Sequence, residues 1–159
     1  MKLLAIDPGI NCSGWAVFQD NILTQASYSA PSKGDFETRL QHLVRASRRD
    51  CMFDHFDRLI IEMPQAYRGD RSVPPEDLIK LGIVAGYWAG YVETGAIEFV
   101  LPRTWKGQVP KLVMCHRILS RLQPEEMQRI ALPDQLTEHT RATNMVDAIG
   151  IGLWALGRL

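Results

Sequence analysis

The chain has 159 residues and a mass of 18.0 kDa, which is the size of one ordinary globular domain. Hydrophobic residues make up 46% of it and charged residues 23%, a balance that excludes the disordered class. Its 18 basic and 18 acidic residues cancel, which excludes a uniformly basic coat for nucleic acid but not a local basic patch. We therefore expect a single folded domain spanning residues 1–159.

Cysteine usage and hydropathy bear on where the protein acts. Its three cysteines are scattered and contain no C-x-x-C pair, which argues against disulfides or structural zinc and fits a reducing compartment. The apolar run at the N-terminus is too short for a signal-peptide core. The longest nearly apolar run, 81–92, falls short of a membrane span. We expect a cytoplasmic protein that does not enter the membrane.

Short apolar runs bounded by turn residues predict strands at 2–6, 13–18 and 22–28, which form an antiparallel meander. A segment at 32–35 resembles a capping box, and apolar residues at helical spacing follow it as far as Phe53. The next strand is predicted at 58–62, followed by an exposed loop over 65–73.

A proline and two acids at 74–77 open a predicted helix that runs to about residue 93. Its Gly82, Gly86 and Gly90 recur every four residues, so we expect this stripe to pack tightly, within the fold or at a dimer interface. A fifth strand is predicted at 96–101, and two helices follow at 110–122 and 143–156.

The order of elements predicts an α/β fold of the ribonuclease H-like kind. Three antiparallel strands followed by alternating helices and strands give a mixed five-stranded sheet, with parallel additions and helices on its faces. The same order makes the first and fourth strands neighbours. In the segment 101–122 there are five Lys and Arg residues and no acid, which indicates contact with phosphate groups.

Three acids stand in apolar surroundings. Asp7 closes the first strand, Glu62 closes the fourth, and Asp147 lies inside an otherwise apolar helix. Burying an unpaired carboxylate costs roughly several kcal/mol of folding free energy. Three carboxylates together can offset that cost by holding a divalent cation. Oxygen ligands without histidine or cysteine favour Mg²⁺ or Mn²⁺. Asn144 shares a helical face with Asp147 and is expected to be a fourth ligand of a two-metal site.

Five motifs, in order along nearly the whole chain, resemble those of the RuvC-type Holliday junction resolvases. The motifs are LAIDPGINCSGWAV with Asp7, IIEMPQ with Glu62, LIKLGIVAG, PRTWKGQVPK with Lys106 and Lys111, and NMVDAIGIG with Asp147. The resemblance implies a homodimer that binds a four-way DNA junction in a bacterial or phage-infected cell. It would nick two strands symmetrically and leave 5′-phosphate and 3′-hydroxyl ends.

In the metal site that the resemblance implies, Asp7 bridges two Mg²⁺ or Mn²⁺ ions, Glu62 holds one, and Asp147 with Asn144 holds the other. The family usually has aspartate or histidine where this chain has Asn144, so the choice of metal stays open. Lys106 and Lys111 are the expected phosphate contacts. The supporting DNA-binding residues are Arg103, Arg68, Arg71 and Tyr67, the last as the aromatic that wedges the junction.

Three other functions remain alternatives. A protein with a damaged site would bind branched DNA without cutting it. A related nuclease would act on other branched DNA or on RNA–DNA hybrids. An actin-like nucleotide-binding protein shares the first hairpin motif, but it needs a second lobe that 159 residues do not accommodate.

Overall fold

The computed structural model describes residues 1–30, 33–50, 55–66 and 74–159, except for the side chains of 44 and 47–50. The strands are β1 (Lys2–Asp7), β2 (Ser13–Gln19), β3 (Ile22–Ser29), β4 (Arg58–Glu62) and β5 (Ile97–Val100). The helices are α1 (Phe36–Asp50), α2 (Pro75–Tyr91), α3 (Pro102–Trp105), α4 (Lys111–Leu119), α5 (Pro124–Met127) and α6 (Ala142–Ala155).

The sheet has the strand order β3-β2-β1-β4-β5. The first three strands are antiparallel, and β4 and β5 are added in parallel to β1. This confirms the predicted mixed five-stranded sheet. The short helices α3 and α5 were not predicted, because four residues are too few to show a helical period; a proline opens each of them.

Helices cover both faces of the sheet and bury two separate apolar layers. On one face, α6 packs on Ala16, Phe18 and Ile60, and nearly every residue from Ala142 to Leu153 is buried. On the other face, α1 and α2 pack on the sheet, and the buried layer there includes Trp15 of β2 and Trp88 of α2. A helix that is apolar all round belongs in the interior, so Asp147 enters the core with α6.

The start of α1 departs from the expected capping box at 32–35. Asp35 caps the helix, because its Oδ1 accepts a hydrogen bond of 2.8 Å from the backbone N–H of Thr38. Ser32, at the other end of that motif, and Phe53, at the end of the predicted helical pattern, lie outside the described residues. The cap is therefore placed three residues later than the sequence pattern suggested.

The glycine stripe of α2 faces open space in the described part of the chain. Gly82, Gly86 and Gly90 are exposed, and a Cβ added at any of them meets no atom within 4 Å among the described residues. Of the two predicted alternatives, packing within the fold is not seen among the described residues, because the sheet contacts the opposite side of α2, at Val84 and Trp88. None of the helices described is long and apolar enough to cross a membrane.

A buried ion pair covers the free edge of the sheet at Leu23, near the start of β3. Arg158 donates to both carboxylate oxygens of Glu126, at 2.8 and 2.7 Å, and Glu126 is fully buried. The same carboxylate accepts the backbone N–H of Leu23 at 2.7 Å, and Arg129 donates to the Leu23 carbonyl. Side chains thus replace a neighbouring strand here, which protects the edge from pairing with another chain.

We expect Glu126→Gln to lower the free energy of unfolding by about 3 kcal/mol, since it leaves Arg158 without its buried partner. Burial by itself would raise the pKa of Glu126. The hydrogen bonds from Arg158 and from the backbone N–H groups of Gln123 and Leu23 outweigh this effect and lower the pKa to about 2. Its contribution is complete above the ordinary value of 4.5 and is lost as the pH falls toward 2.

Urea unfolding of wild type and variant between pH 7 and pH 3 measures this difference. Glu125→Gln is the matched control, because Glu125 is the exposed neighbour of Glu126. Equal stabilities for the two variants at pH 7 would contradict the role of the pair.

Candidate active site

Two carboxylates lie side by side at one edge of the sheet. Strands β1 and β4 run parallel, with Ile6 opposite Ile61, so Asp7 and Glu62 follow at the same level on neighbouring strands. Each acid is the last residue of its strand, and the residues just before it are apolar and buried. The predicted neighbourhood of the first and fourth strand ends is confirmed.

A glycine opposite Asp7 brings the third carboxylate to this edge. Gly14 pairs with Asp7 across the β1–β2 ladder, and α6 passes directly over it. A Cβ at Gly14 would lie 1.9 Å from the backbone oxygen of Asn144, closer than any side chain permits. Asp147 follows three residues later on α6, with 5% of its surface exposed. Close backbone packing at Gly14 therefore sets where Asp147 meets the strand ends.

The three carboxylates share one electrostatic environment. Burial raises the pKa of Asp7 well above its usual range, and the charges of Glu62 and Asp147 raise it further. Burial also raises the pKa of Asp147, against the opposing effect of Lys106 and Lys111. Both aspartates carry their charge at a cost, which a nearby cation reduces.

Two lysines from the segment after β5 supply positive charge. The Lys106 Nζ lies 3.2 Å from Glu62 Oε2 and 4.0 Å from Asp147 Oδ2. The Lys111 Nζ lies 3.9 Å from Asp147 Oδ2. Burial by itself would lower the pKa of Lys106. The negative charges of Glu62, Asp147 and Asp7 outweigh this effect and raise the pKa, so Lys106 remains an ammonium ion. The two lysines expected to contact phosphate are thus placed beside the acids.

The donor chemistry of this cluster suits a hard divalent ion. In the described part of the chain, no three His, Cys, Asp or Glu side chains converge closely enough to enclose one ion. Mg²⁺ does not need such a cage, because it binds through one or two carboxylates together with water and substrate phosphate. Burial raises the pKa of both Cys12 and Cys115 to about 11, so neither offers a thiolate at neutral pH. One or two of Asp7, Glu62 and Asp147 would hold each ion, together with water and substrate phosphate.

Asn144 has a structural contact that the sequence did not indicate. Its Nδ2 donates a hydrogen bond of 2.6 Å to the carbonyl of Cys12, in the turn that follows Asp7. This bond ties the first turn of α6 to the β1–β2 hairpin. The bond uses the amide nitrogen of Asn144, whereas a metal ion would bind the amide oxygen. The predicted ligand role of Asn144 stays a prediction.

The predicted DNA-binding residues fall into two groups. Arg103 is exposed on α3, one turn before Lys106. Tyr67, Arg68 and Arg71 lie outside the described residues. The histidines of the same half of the chain, His116 and His139, are exposed.

The sequence did not indicate that Trp105 contacts Glu62. Trp105 is buried, and its Nε1 donates a hydrogen bond of 2.6 Å to Glu62 Oε2. The signal available was its position next to Lys106 within the PRTWKGQVPK motif. An indole N–H that is buried needs an acceptor, but the sequence does not show which one it finds.

Comparison with solved structures identifies the fold. RuvC of T. thermophilus, solved in complex with a Holliday junction substrate, is similar over 97% of this chain and 92% of its own, with a TM-score of 0.53 and 16% identity. The fowlpox virus resolvase, solved with Holliday junction DNA, is similar over 99% of this chain and 97% of its own, with a TM-score of 0.56 and 18% identity. The chain shares the fold of the Holliday junction resolvases. This confirms the ribonuclease H-like arrangement and the resemblance seen in the motifs.

The similarity is one of structure. A search of protein-family models found no match to this chain. A search of curated protein sequences found no match either.

We expect Asp7→Asn to raise the melting temperature of the metal-free protein, because it removes one of three mutually repelling carboxylates. Each kcal/mol relieved corresponds to about 2–4 °C in a chain of this size. Since the folded-state pKa of Asp7 is raised, the wild type gains stability as the pH falls through that pKa toward 3.8, and the variant lacks this gain.

Thermal unfolding with EDTA and with added Mn²⁺ tests this. Mn²⁺ should stabilise the wild type and leave Asp7→Asn nearly unchanged. Asp20→Asn is the control, because Asp20 is an exposed acid that pairs with the N-terminus, far along β2 from the cluster. A variant that is destabilised without metal would contradict the proposed repulsion.

Proposed function

We propose that this protein is a divalent-metal-dependent endonuclease that resolves four-way DNA junctions by paired symmetric nicks. The observation that carries the proposal is the meeting of Asp7, Glu62 and Asp147 at one sheet edge, with their repulsion countered by Lys106 and Lys111. The two structures compared above, both resolvases in complex with junction DNA, have the same fold. The motifs around these residues support the same activity.

Each side chain of the cluster has a task that its surroundings suit. Asp7, Glu62 and Asp147 would hold Mg²⁺ or Mn²⁺, with Asn144 as a neutral donor in the proposed two-ion arrangement. A divalent ion, when bound, activates the attacking water and stabilises charge on the phosphodiester and its 3′ leaving oxygen. The buried strands beneath the acids keep them fixed, so little reorganisation is needed when DNA binds.

The lysines supply the contact with the DNA backbone in this proposal. Lys106 and Lys111 are only partly buried, with 25% and 36% of their side chains exposed. Each therefore has one side toward the acids and another toward solvent, where a phosphate would arrive. Arg103 adds an exposed positive charge on α3, one turn from Lys106. Tyr67 remains the proposed wedge, and Arg68 and Arg71 remain proposed supporting cations.

The outward face of α2 is the proposed dimer interface. Ile79 is 65% and Ile83 46% exposed, on the same face as the open glycine stripe of Gly82, Gly86 and Gly90. On edge strand β5, Ile97 and Phe99 are half exposed and pair with Leu59 and Ile61, whose side chains lie on the sheet face that α2 covers. A second copy suits this surface, because two symmetric nicks need two sets of carboxylates.

Cleavage of a synthetic four-way junction tests the activity. We expect the wild type to make paired symmetric nicks with Mg²⁺ or Mn²⁺. Asp147→Asn should bind the junction but cleave it at least about 100-fold more slowly, because it removes a charged ligand of the metal and even the partners that orient such ligands are worth about 10–100-fold. Denaturing electrophoresis of end-labelled strands measures the nicks and their symmetry.

The comparison substrates decide between the alternatives. Preferential cleavage of an RNA–DNA hybrid or of another branched DNA would move the assignment to a related nuclease. Junction binding without cleavage in either metal would leave a DNA-binding protein, and tight ATP binding would revive the nucleotide-binding alternative. Duplex DNA of the same sequence is the control for structure selectivity.

We expect Ile83→Glu to convert the dimer into a monomer, because it places a charge in the centre of the proposed interface. Ile22→Glu is the matched control, since Ile22 is 43% exposed on β3, at the other edge of the sheet. Size-exclusion chromatography with light scattering should give the wild type and the control twice the chain mass of 18.0 kDa. A wild type that is monomeric, or an unchanged mass for Ile83→Glu, would contradict this interface.

A further inference from the structure

Trp105 contacts two charged side chains of the cluster with different parts of one ring system. Its indole N–H donates to Glu62 Oε2 at 2.6 Å, a bond strengthened by the charge of the acceptor. The Lys106 Nζ lies 4.8 Å from the centre of the same ring. This distance is within the range of a cation–π interaction. The ring edge thus faces the carboxylate while the ring face meets the ammonium group.

The indole itself has little freedom to move. Trp105 is 5% exposed and packs against α6 where that helix has no side chain, at Gly150. A Cβ at Gly150 would lie 2.7 Å from the Trp105 ring and 2.5 Å from Ile118. Because α6 also carries Asp147, the same helix that seats the indole brings the third carboxylate to the cluster.

Glu62 needs such a contact more than the other acids. It lies at the strand end nearest to edge strand β5, with 14% of its side chain exposed, and a glutamate has one more rotatable bond than an aspartate. Without a fixed donor, its carboxylate would sample several rotamers. Partners that orient a metal ligand are worth about 10–100-fold in metal affinity or activity.

We propose that Trp105 is a positioning residue, whose indole N–H orients the Glu62 carboxylate for the metal while its ring face keeps Lys106 beside that carboxylate. The inference rests on the proposed function. It assigns a role in the reaction to a residue that touches neither substrate nor metal.

Trp105→Phe tests the role of the N–H, since phenylalanine keeps an aromatic face for Lys106 and loses only the donor and part of the ring. We expect Mn²⁺ binding, measured by isothermal titration calorimetry, to weaken about 10–100-fold, with a similar loss in junction cleavage. Trp88→Phe is the matched control. Trp88 is fully buried and belongs to α2, on the opposite face of the sheet from Trp105. Its Nε1 has no hydrogen-bond partner among the described residues.

A second measurement decides the matter even if Trp105→Phe does not fold. The four indole N–H signals of the ¹⁵N-labelled wild type can be assigned by elimination with phenylalanine variants of the other three tryptophans. Glu62→Gln should then shift the Trp105 signal upfield, because a neutral amide is a weaker acceptor, and leave the Trp88 signal in place.

The outcomes separate the two proposals. Equal effects of Trp105→Phe and Trp88→Phe on Mn²⁺ binding, or an unshifted Trp105 signal in Glu62→Gln, would overturn the positioning role while the wild type still cleaves junctions. A wild type that neither binds Mn²⁺ nor cuts a junction would overturn the proposed function itself, and the signal shift would still report whether the indole holds Glu62.

Discussion

The balance of charge at one edge of the sheet is the constraint on which the rest of this structure depends. Three carboxylates reach that edge from β1, β4 and α6, and burial together with mutual repulsion raises the pKa of Asp7 and of Asp147. Two ammonium groups, from Lys106 and Lys111, offset part of this repulsion. Such a cluster is costly as a structural element, and its cost is understandable when the same carboxylates serve to bind a divalent ion.

The fold holds this cluster in place through close backbone packing together with a few side-chain hydrogen bonds. Gly14 lets the first turn of α6 rest on the β1–β2 hairpin, and Asn144 ties the two together through the carbonyl of Cys12. Parallel pairing of β1 with β4 fixes the separation of Asp7 and Glu62 in the same way. The acids therefore keep their relative positions without direct hydrogen bonds between them.

Features far from the cluster serve the fold or, in our proposal, the assembly. The Glu126–Arg158 pair and Arg129 cover the β3 edge at Leu23, so strand pairing is blocked at that point of the edge. The opposite edge strand, β5, and the outward face of α2 present half-exposed apolar residues. The β5 side of the sheet therefore exposes apolar surface, which is the property that suits a second copy of the chain in our proposal.

The sequence by itself determined the order of the strands and long helices. Their apolar runs and turn residues are local signals, and so are the acids that end β1 and β4 or interrupt α6. It did not indicate the short helices α3 and α5, which are too brief to show a period. The sequence left open whether the glycine stripe of α2 packs within the fold or at a dimer interface, because spacing shows that a helix face is small, but not what lies against it.

Only the tertiary structure decided which side chains meet. Trp105 and Glu62 lie 43 residues apart, and Arg158 and Glu126 lie 32 apart. Asn144 and Cys12 are separated by 132 residues. No local pattern encodes such pairs, because each depends on how helices and strands settle against one another once the apolar layers are buried. The acids were recognisable from their apolar neighbours alone, whereas the groups that hold them in position were set by packing.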